Sequence, residues 1–286
     1  MRACEAGDGA SPFDQMAVEY DLLFTYSRIG TLLRQAVWRR LDVRFLPGDR
    51  ILELNCGTGE DALHLAQRGV QVLATDVSAE MVLLARQKIR QAGMAANVEV
   101  RRMAIEEISD PFSALQLMAQ NEHAAFDGAL SDFGGLNCAR NLPQVAEGLA
   151  ACLRPGAVAL LCIMGPLCPW EWGWYLLHGQ PGKAFRRLRR GGVPWRGLTI
   201  TYPSIRAVCH AFAPHFRPLR VGAIGALLPP TYAEGWAARH EGLLARLDRW
   251  ERRLETLPPF PLLADHYLLE LERKPGRVLP SRSSPP

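Results

Sequence analysis

From residue 50 onward, short apolar runs alternate with amphipathic segments. Continuous apolar runs of strand length predict five strands, at 50–55, 70–75, 98–103, 126–131 and 157–164. Apolar positions at helical spacing predict a helix between most of these strands, and Gly or Pro-Gly ends the helices. Apolar strands that alternate with helices are typical of a parallel sheet that is covered on both faces.

The alternation changes at both ends of this region. A helical segment with a break near 27–30 precedes the first strand. After the fifth strand, the segment 165–200 brings four tryptophans and a basic run, so we interpret it as an insertion. Further elements then follow, namely a helix at 203–212, a strand at 216–228, a charged helix at 232–257 and a last strand at 266–272. The helical connection before the last strand suits an antiparallel direction.

The predicted fold class is α/β, a Rossmann-like doubly wound sheet of about seven strands with an antiparallel last strand. The helical segment covers 1–44, and the α/β domain covers 45–274 with its insertion at about 165–200. The Pro/Ser/Arg-rich tail at 275–286 is predicted to be unstructured.

Composition excludes some classes of protein. The net charge of +4 over 286 residues is too small to favour a nucleic-acid partner. No apolar stretch reaches 18 residues, so we expect no transmembrane helix. The seven cysteines are odd in number and form no C-x-x-C pair, which favours reduced thiols in the cytoplasm and gives no metal-site pattern.

A glycine-rich turn, NCGTGEDA, follows the first strand. Gly57 and Gly59 allow a tight turn and a close approach of a ligand to the main chain, and the next helix offers free N–H groups. This turn also fits the dinucleotide fingerprint G-x-G-x-x-A, and a turn without any ligand is a further alternative.

Two carboxylates narrow the choice of ligand. Asp76 ends the second strand, where a carboxylate suits the ribose hydroxyls of a nucleotide or of an adenosyl group. Glu53 lies on the first strand, where it would repel a pyrophosphate. It suits a ligand that carries an ammonium or sulfonium group.

The segment 52–59 resembles motif I of class I S-adenosylmethionine-dependent methyltransferases, commonly E/D-x-G-x-G-x-G. The segments 72–78, 126–132 and 153–156 are similar to later motifs of that family, and the pattern most resembles small-molecule methyltransferases of the ubiquinone-biosynthesis type. Asn55 departs from the usual Gly. The segment 102–105 lacks the Asp that often binds adenine.

The resemblance implies S-adenosylmethionine as the cofactor and a helical cover over 1–44, from which Tyr20 touches the methionine part. A packing role for Tyr20 is the alternative. Adenine would be held by backbone groups near Ala104 and Ile105, or by Glu106. The residues implied to contact the cofactor are Tyr20, Glu53, Asn55, Cys56, Gly57, Gly59, Asp76, Val77, Met81, Ala104, Ile105, Ser131 and Asp132.

Methyl transfer is a direct displacement, which requires alignment and sometimes a base. Asp132 and His266 are the candidate catalytic residues, with a turn residue and a structural histidine as the alternatives. Asn137, Trp170 and Trp174 are candidates for substrate binding, in an insertion that acts as a lid. A packed satellite core is the alternative for the tryptophans.

The leading hypothesis is therefore a cytoplasmic methyltransferase that acts on a small, apolar or amphiphilic acceptor. The alternatives are a non-catalytic S-adenosylmethionine-binding regulator or partner protein, and an NAD(P)-dependent oxidoreductase. The basic run at 183–190 is interpreted either as a solvated helix face or as a contact to an anionic head group or membrane surface. The pattern leaves the acceptor and the choice between monomer and dimer open.

Overall fold

The computed structural model describes residues 11–110 and 125–275. The strands are β1 (Arg50–Leu54), β2 (Gln71–Asp76), β3 (Val98–Arg102), β4 (Phe126–Ser131), β5 (Leu153–Met164), β6 (Val193–Trp195), β7 (Leu198–Ile200), β8 (Phe216–Ile224) and β9 (His266–Arg273). Seven of them form one sheet in the order β3-β2-β1-β4-β5-β9-β8, and β6 and β7 form a separate hairpin. The strands β1 to β5 are parallel to one another. The last strand, β9, is antiparallel to both of its neighbours, as predicted.

The helical segment before β1, the helices between the parallel strands and the helix at 203–212 lie close to their predicted positions, and further helices occur in the insertion and near the end of the chain. They are α1 (Asp14–Tyr20), continued by a π-helical turn (Asp21–Thr25), α2 (Arg28–Arg44), α3 (Glu60–Gln67), α4 (Ala79–Gln91), α5 (Leu142–Cys152), α6 (Pro169–Leu177), α7 (Pro181–Ala184), α8 (Ile205–Phe212), α9 (Glu234–Arg239), α10 (Glu241–Leu254) and α11 (Phe260–Leu263). The hydroxyl of Ser27 caps α2 and that of Ser78 caps α4, each by accepting a backbone N–H. Within 11–110 and 125–275, no helix combines the length and the apolar character that a membrane span requires.

The hydrophobic core has two parts, one on each face of the sheet. Successive strand residues belong to different parts, because side chains alternate across a strand. Ile51 of β1 packs in the cluster that contains the buried face of α2, whereas Leu52 packs in the cluster that contains α5 and α8. The sheet is thus covered on both faces, and the carboxyl ends of its parallel strands are left for ligands.

The predicted strand at 216–228 is too long, because the chain leaves the sheet after Ile224. The carboxylate of Glu251 on α10 accepts the backbone N–H groups of Gly225, Leu227 and Leu228, which binds this loop away from the ladder. The charged helix predicted at 232–257 is likewise divided, because His240 has non-helical backbone angles between α9 and α10. Strand β5 begins earlier than predicted.

Sequence analysis missed the β6–β7 hairpin within the insertion. Arg196 and Gly197 join its strands, and both have positive φ angles, 46° and 85°. Two residues with φ above zero are the geometry that a two-residue hairpin turn requires. The first ten residues of the predicted N-terminal segment, and the predicted tail from 276 onward, lie outside the described residues.

Replacing Gly59 with Ala is expected to destabilise the fold by about 1 to 3 kcal/mol more than the same change at Gly156. Both glycines have positive φ, 77° and 82°, so both variants carry a similar backbone cost of about 1 to 2 kcal/mol. A Cβ on Gly59 would lie 2.9 Å from the Cβ of Ala85 on α4, whereas one on Gly156 meets nothing within 4 Å. Urea unfolding of the two variants measures the difference, and equal losses would contradict close packing at Gly59.

Candidate functional site

The turn after β1 is built from residues with left-handed backbone angles. Asn55, Gly57 and Gly59 have φ angles of 58°, 54° and 77°, which reverse the chain into α3. Asn55 adopts this conformation in place of the family's usual Gly, and its amide oxygen accepts a hydrogen bond from the hydroxyl of Ser131 on β4, at 3.3 Å. The carboxylate of Asp76 accepts the N–H of Gly57 and that of Ser78, each at 2.9 Å. The turn is therefore fixed to the ends of β2 and β4.

Three carboxylates are buried beside this turn. Glu53, Asp61 and Asp132 are only 1%, 3% and 7% exposed. Arg34 of α2 is also buried, and its guanidinium forms an ion pair with Asp61 at 2.5 Å. Trp38 donates its indole N–H to the other Asp61 oxygen, at 2.7 Å. We call these four ionisable residues the acid cluster, in which three carboxyl groups share one cation.

Two carboxylate oxygens in the acid cluster, Oε2 of Glu53 and Oδ2 of Asp132, are buried without a hydrogen-bond partner. Burial, together with the negative charge of Asp61, raises the pKa of Glu53 well above its ordinary value and that of Asp132 to about 8. The stability that a protonated Asp132 provides is therefore lost as the pH rises from its ordinary pKa of 3.8 through about 8. A bound cation would relieve this cost, so the cluster favours a positively charged ligand.

The N-terminal helical segment lies over the turn. The Tyr20 ring is 4.0 Å from the position that a Cβ on Gly57 would take, and burial raises the pKa of its hydroxyl to about 12. Asp21 accepts a hydrogen bond from the hydroxyl of Thr58 at 2.6 Å and forms an ion pair with Lys88 at 2.8 Å. Asp14 accepts a hydrogen bond from the hydroxyl of Ser78 at 2.5 Å. The segment is thus attached to the turn and to the beginning of α4.

The residues predicted for the adenine side lie where β2 and β3 end. The N–H of Met103 donates to the carbonyl of Asp76 at 2.9 Å. This hydrogen bond brings Ala104 and Ile105, which follow Met103, near Asp76. Met81 is buried in α4, and Val77 is partly exposed. The Ala104 N–H already donates to the carboxylate of Glu107 at 2.8 Å. That N–H is therefore occupied, which leaves the neighbouring groups of the segment for adenine.

Phe133 separates the acid cluster from His266. Its φ angle is 42°, and its ring lies 4.9 Å from the Arg34 guanidinium carbon and edge-on to the imidazole of His266 at 5.5 Å. The imidazole Nδ1 is 3.2 Å from a carboxylate oxygen of Asp265. Of the two candidate catalytic residues, Asp132 lies in the cleft with Tyr20 and Gly57, whereas His266 approaches it through the Phe133 ring.

The side chain of Asn137, which is predicted to bind the substrate, is hydrogen-bonded within the fold. Its side-chain NH2 donates to the carbonyls of Met164 and Thr201 at 3.0 and 2.6 Å, and its amide oxygen accepts the N–H of Met164 at 2.9 Å. Both amide hydrogens are therefore used to join β5 to the segment after β7. No donor of this side chain is left for an acceptor molecule.

Trp170 and Trp174, which are predicted to bind the substrate, make the contacts that the alternative of a packed satellite core requires. The Trp170 indole N–H donates to the carbonyl of Leu227 at 3.0 Å, and its ring lies 6.2 Å from that of Trp236. The Trp174 ring lies 5.5 Å from that of Tyr232. Both tryptophans thus join the insertion to the segment around α9.

The cleft also contains residues that sequence analysis did not single out. They are Arg34, Thr58, Glu60, Asp61 and Phe133. A signal for Arg34 was present, because it shares the apolar stripe of α2 with Gly30, Leu33, Val37 and Leu41 at helical spacing. A cation on such a stripe must be buried, and a buried cation needs an anionic partner.

Comparison with known proteins agrees with this site. The family described as "Methyltransferase domain" matches residues 51–156. The 2-phytyl-1,4-naphtoquinone methyltransferase of Synechococcus elongatus is 32% identical over 165 residues, 55% of this chain and 64% of that protein. The demethylmenaquinone methyltransferase of Lactiplantibacillus plantarum is 31% identical over 183 residues, 59% of this chain and 69% of that protein.

Solved structures agree at the level of the fold. A putative sarcosine dimethylglycine methyltransferase from Galdieria sulphuraria superposes with a TM-score of 0.57 at 14% identity, over 91% of this chain and 98% of that chain. The [4+2]-cyclase SpnF superposes with a TM-score of 0.53 at 18% identity, over 95% and 100% of the two chains.

The fold and the glycine turn define a class I S-adenosylmethionine-dependent methyltransferase. Within that class, the chain belongs to the family of the quinone methyltransferases, of the ubiquinone-biosynthesis type. It spans a little under two thirds, 64%, of the Synechococcus relative. Membership of this family contradicts the NAD(P)-dependent oxidoreductase alternative.

Arg34→Met and Asp61→Leu are each expected to cost about 3 to 5 kcal/mol of stability, because each leaves a buried charge without its partner. The double variant should lose much less than the two losses together. Chemical unfolding of all four proteins measures this coupling. The exposed pair Arg28 and Glu241, at 2.9 Å, is the control and should couple by less than about 1 kcal/mol. Additive losses at Arg34 and Asp61 would contradict charge compensation.

Trp170→Ala and Trp174→Ala are each expected to lower the stability by about 2 to 4 kcal/mol, because both rings pack against other aromatic rings. Trp250→Ala is the matched control, since Trp250 is 54% exposed on α10, and should change the stability by less than about 0.5 kcal/mol. Thermal melts measure the three variants. Unchanged melting of the first two would favour a mobile lid over a packed core.

Proposed function

We propose that this protein transfers a methyl group from S-adenosylmethionine to a small acceptor of the quinone class, with apolar or amphiphilic character. The two relatives are named for methylation of a phytyl naphthoquinone and of demethylmenaquinone, which supports this choice of acceptor. A cytoplasmic site of action is part of the same proposal. A cyclase also has this fold, so the fold alone does not identify the reaction, and the residues of the site must be considered as well.

The observation that carries the proposal is the acid cluster, with its two unpartnered carboxylate oxygens next to a glycine turn. S-adenosylmethionine carries an ammonium group and a sulfonium centre, so it supplies the positive charge that these buried acids lack. A dinucleotide would bring a pyrophosphate to the same place, where Glu53 and Asp132 would repel it. The residues present therefore fit the methyl donor better than a dinucleotide.

When it is bound, S-adenosylmethionine supplies an electrophilic methyl group on sulfur. The residues that would hold it are Asp76 for the ribose hydroxyls, the turn at Gly57 for the main-chain approach, and Glu53 for the cationic end. Tyr20 covers the turn and excludes water from it. The role of the protein is mainly alignment and exclusion of water, as expected for a direct displacement.

Asp132 is the residue that we propose to take a proton from the acceptor. It lies in the same cleft as Tyr20 and Gly57, and its Oδ2 is buried without a hydrogen-bond partner. Burial and the charge of Asp61 raise its pKa to about 8, so it is mostly protonated at neutral pH before the ligand binds, and a cationic ligand that lowers this pKa frees it to accept a proton. His266 contacts the cleft through the Phe133 ring.

Binding of S-adenosylmethionine at neutral pH is expected to release protons, because the cationic ligand lowers the raised pKa values of Glu53 and Asp132. Calorimetry in buffers of different ionisation enthalpy measures the number released. Glu53→Gln should reduce this release and weaken binding by about 2 kcal/mol. Glu99→Gln, an exposed change on β3, is the control and should alter neither quantity.

Binding of NAD(P) in place of S-adenosylmethionine would overturn the assignment of the cofactor. The transfer itself is tested by incubation with labelled methyl donor and with 2-phytyl-1,4-naphthoquinone or demethylmenaquinone as the acceptor. Binding of the donor without transfer to any quinone would favour the non-catalytic regulator or partner protein.

A further inference from the structure

A long segment that begins within α6, after the sheet's fifth strand, has no acidic residue. Between Trp172 and Ala233 the sequence contains no Asp or Glu but nine cationic residues, namely Lys183, Arg186, Arg187, Arg189, Arg190, Arg196, Arg206, Arg217 and Arg220. The net charge of +4 for the whole chain does not reveal this asymmetry. A basic segment of this length points to an anionic partner, provided that its cations are not all neutralised within the fold.

Four of the nine cations are neutralised by carboxylates elsewhere in the chain. Arg186 and Arg187 form ion pairs with Glu171 at 2.7 and 2.6 Å, and Glu171 is fully buried. Arg187 also forms an ion pair with Asp265 at 2.5 Å. Arg217 and Arg220 are paired in the same way with carboxylates of β9 and of the segment after α10. These cations stabilise the fold and are not available to a partner.

Lys183, Arg189 and Arg190 differ from this group, because all three are exposed. Within 11–110 and 125–275, none of them forms an ion pair with a carboxylate. The Lys183 ammonium lies 5.7 Å from the ring centre of Tyr175, which brings the basic run against α6. Three free cations are therefore concentrated on one short, ordered segment.

Large apolar side chains are exposed on the same segment. Leu176 and Leu177 at the end of α6 are 48% and 88% exposed, and Phe185 and Leu188 are 44% and 49% exposed. The Phe185 ring lies 5.8 Å from that of Trp172, so the chain after α7 folds back against α6. We call these four side chains, together with Lys183, Arg189 and Arg190, the insertion patch.

We propose that the insertion patch docks this protein on the surface of a membrane that contains anionic lipids. Exposed cations beside exposed aliphatic and aromatic side chains are the combination by which proteins bind at the headgroup boundary. The cations match the negative lipid headgroups, and Leu177 and its apolar neighbours enter the acyl boundary. A nucleic acid would use the same cations but would gain little from exposed leucines, so the apolar part favours the lipid surface.

Vesicle co-sedimentation of the full chain tests this inference, with phosphatidylcholine alone and with added phosphatidylglycerol. We expect binding only to the anionic vesicles, and weaker binding at raised salt. The triple variant Lys183→Ser, Arg189→Ser, Arg190→Ser should lose binding by about tenfold or more. The matched control is Arg90→Ser, Arg140→Ser, Arg206→Ser, which removes the same charge from exposed positions outside the insertion patch and should bind almost normally.

The apolar part has its own test. Leu177→Ser should weaken vesicle binding by about threefold or more without a change in charge, whereas Leu257→Ser, at a position 50% exposed outside the patch, should not. The inference is overturned by absence of binding to anionic vesicles, by equal loss in both triple variants, or by binding to an RNA oligonucleotide in preference to vesicles. The inference goes beyond methyl transfer, and the assay needs no methyl donor. Its failure is therefore distinct from failure of the proposed activity.

Discussion

The ion pair between Arg34 and Asp61 is the interaction on which the candidate site depends. Glu53, Asp61 and Asp132 come from β1, α3 and the end of β4, and all three are buried within reach of one guanidinium. Without that cation, burial of three carboxylates at one sheet edge would be very costly. Arg34 therefore fixes α2 to α3 at this edge of the sheet, within the cleft that is proposed to bind the ligand.

This arrangement links the N-terminal segment to the site electrostatically as well as by contact. The same helical segment carries Arg34 in α2 and Tyr20 before it, and Asp21 holds the segment to Thr58 and Lys88. Three carboxyl groups share one cation in this cluster, so Glu53 and Asp132 ionise readily only when a further positive charge is bound. This requirement is the physical reason why a sulfonium ligand suits this turn, whereas a pyrophosphate does not.

Much of the fold was predictable because short, largely apolar strands alternate with helices that Gly or Pro-Gly ends. The turn from Asn55 to Gly59 and the carboxylate of Asp76 were predictable because a glycine turn after one strand and an acid at the end of the next are typical of a nucleotide or adenosyl site. The partners of the acids were harder to find, since Arg34 precedes Asp61 by 27 residues and only its place on the apolar stripe of α2 indicates burial. The roles of Asn137, Trp170 and Trp174 were hard to predict for a related reason. A polar or aromatic residue after a strand can serve the fold or a ligand equally well, and only its partners decide which.

Acidic and cationic residues are concentrated in two different parts of the molecule. The acid cluster has three acids and one cation, whereas the insertion from Trp172 onward is rich in cations and lacks acids. Glu171 and Asp265 stand at the boundary, where Arg187 joins them and attaches the insertion to the beginning of β9. His266 follows Asp265 directly and contacts Phe133 beside Asp132. A continuous series of contacts therefore runs from the basic insertion to the acid cluster. Because the buried Arg187 satisfies both carboxylates, the exposed cations beyond it are free to meet an external anion without weakening the fold.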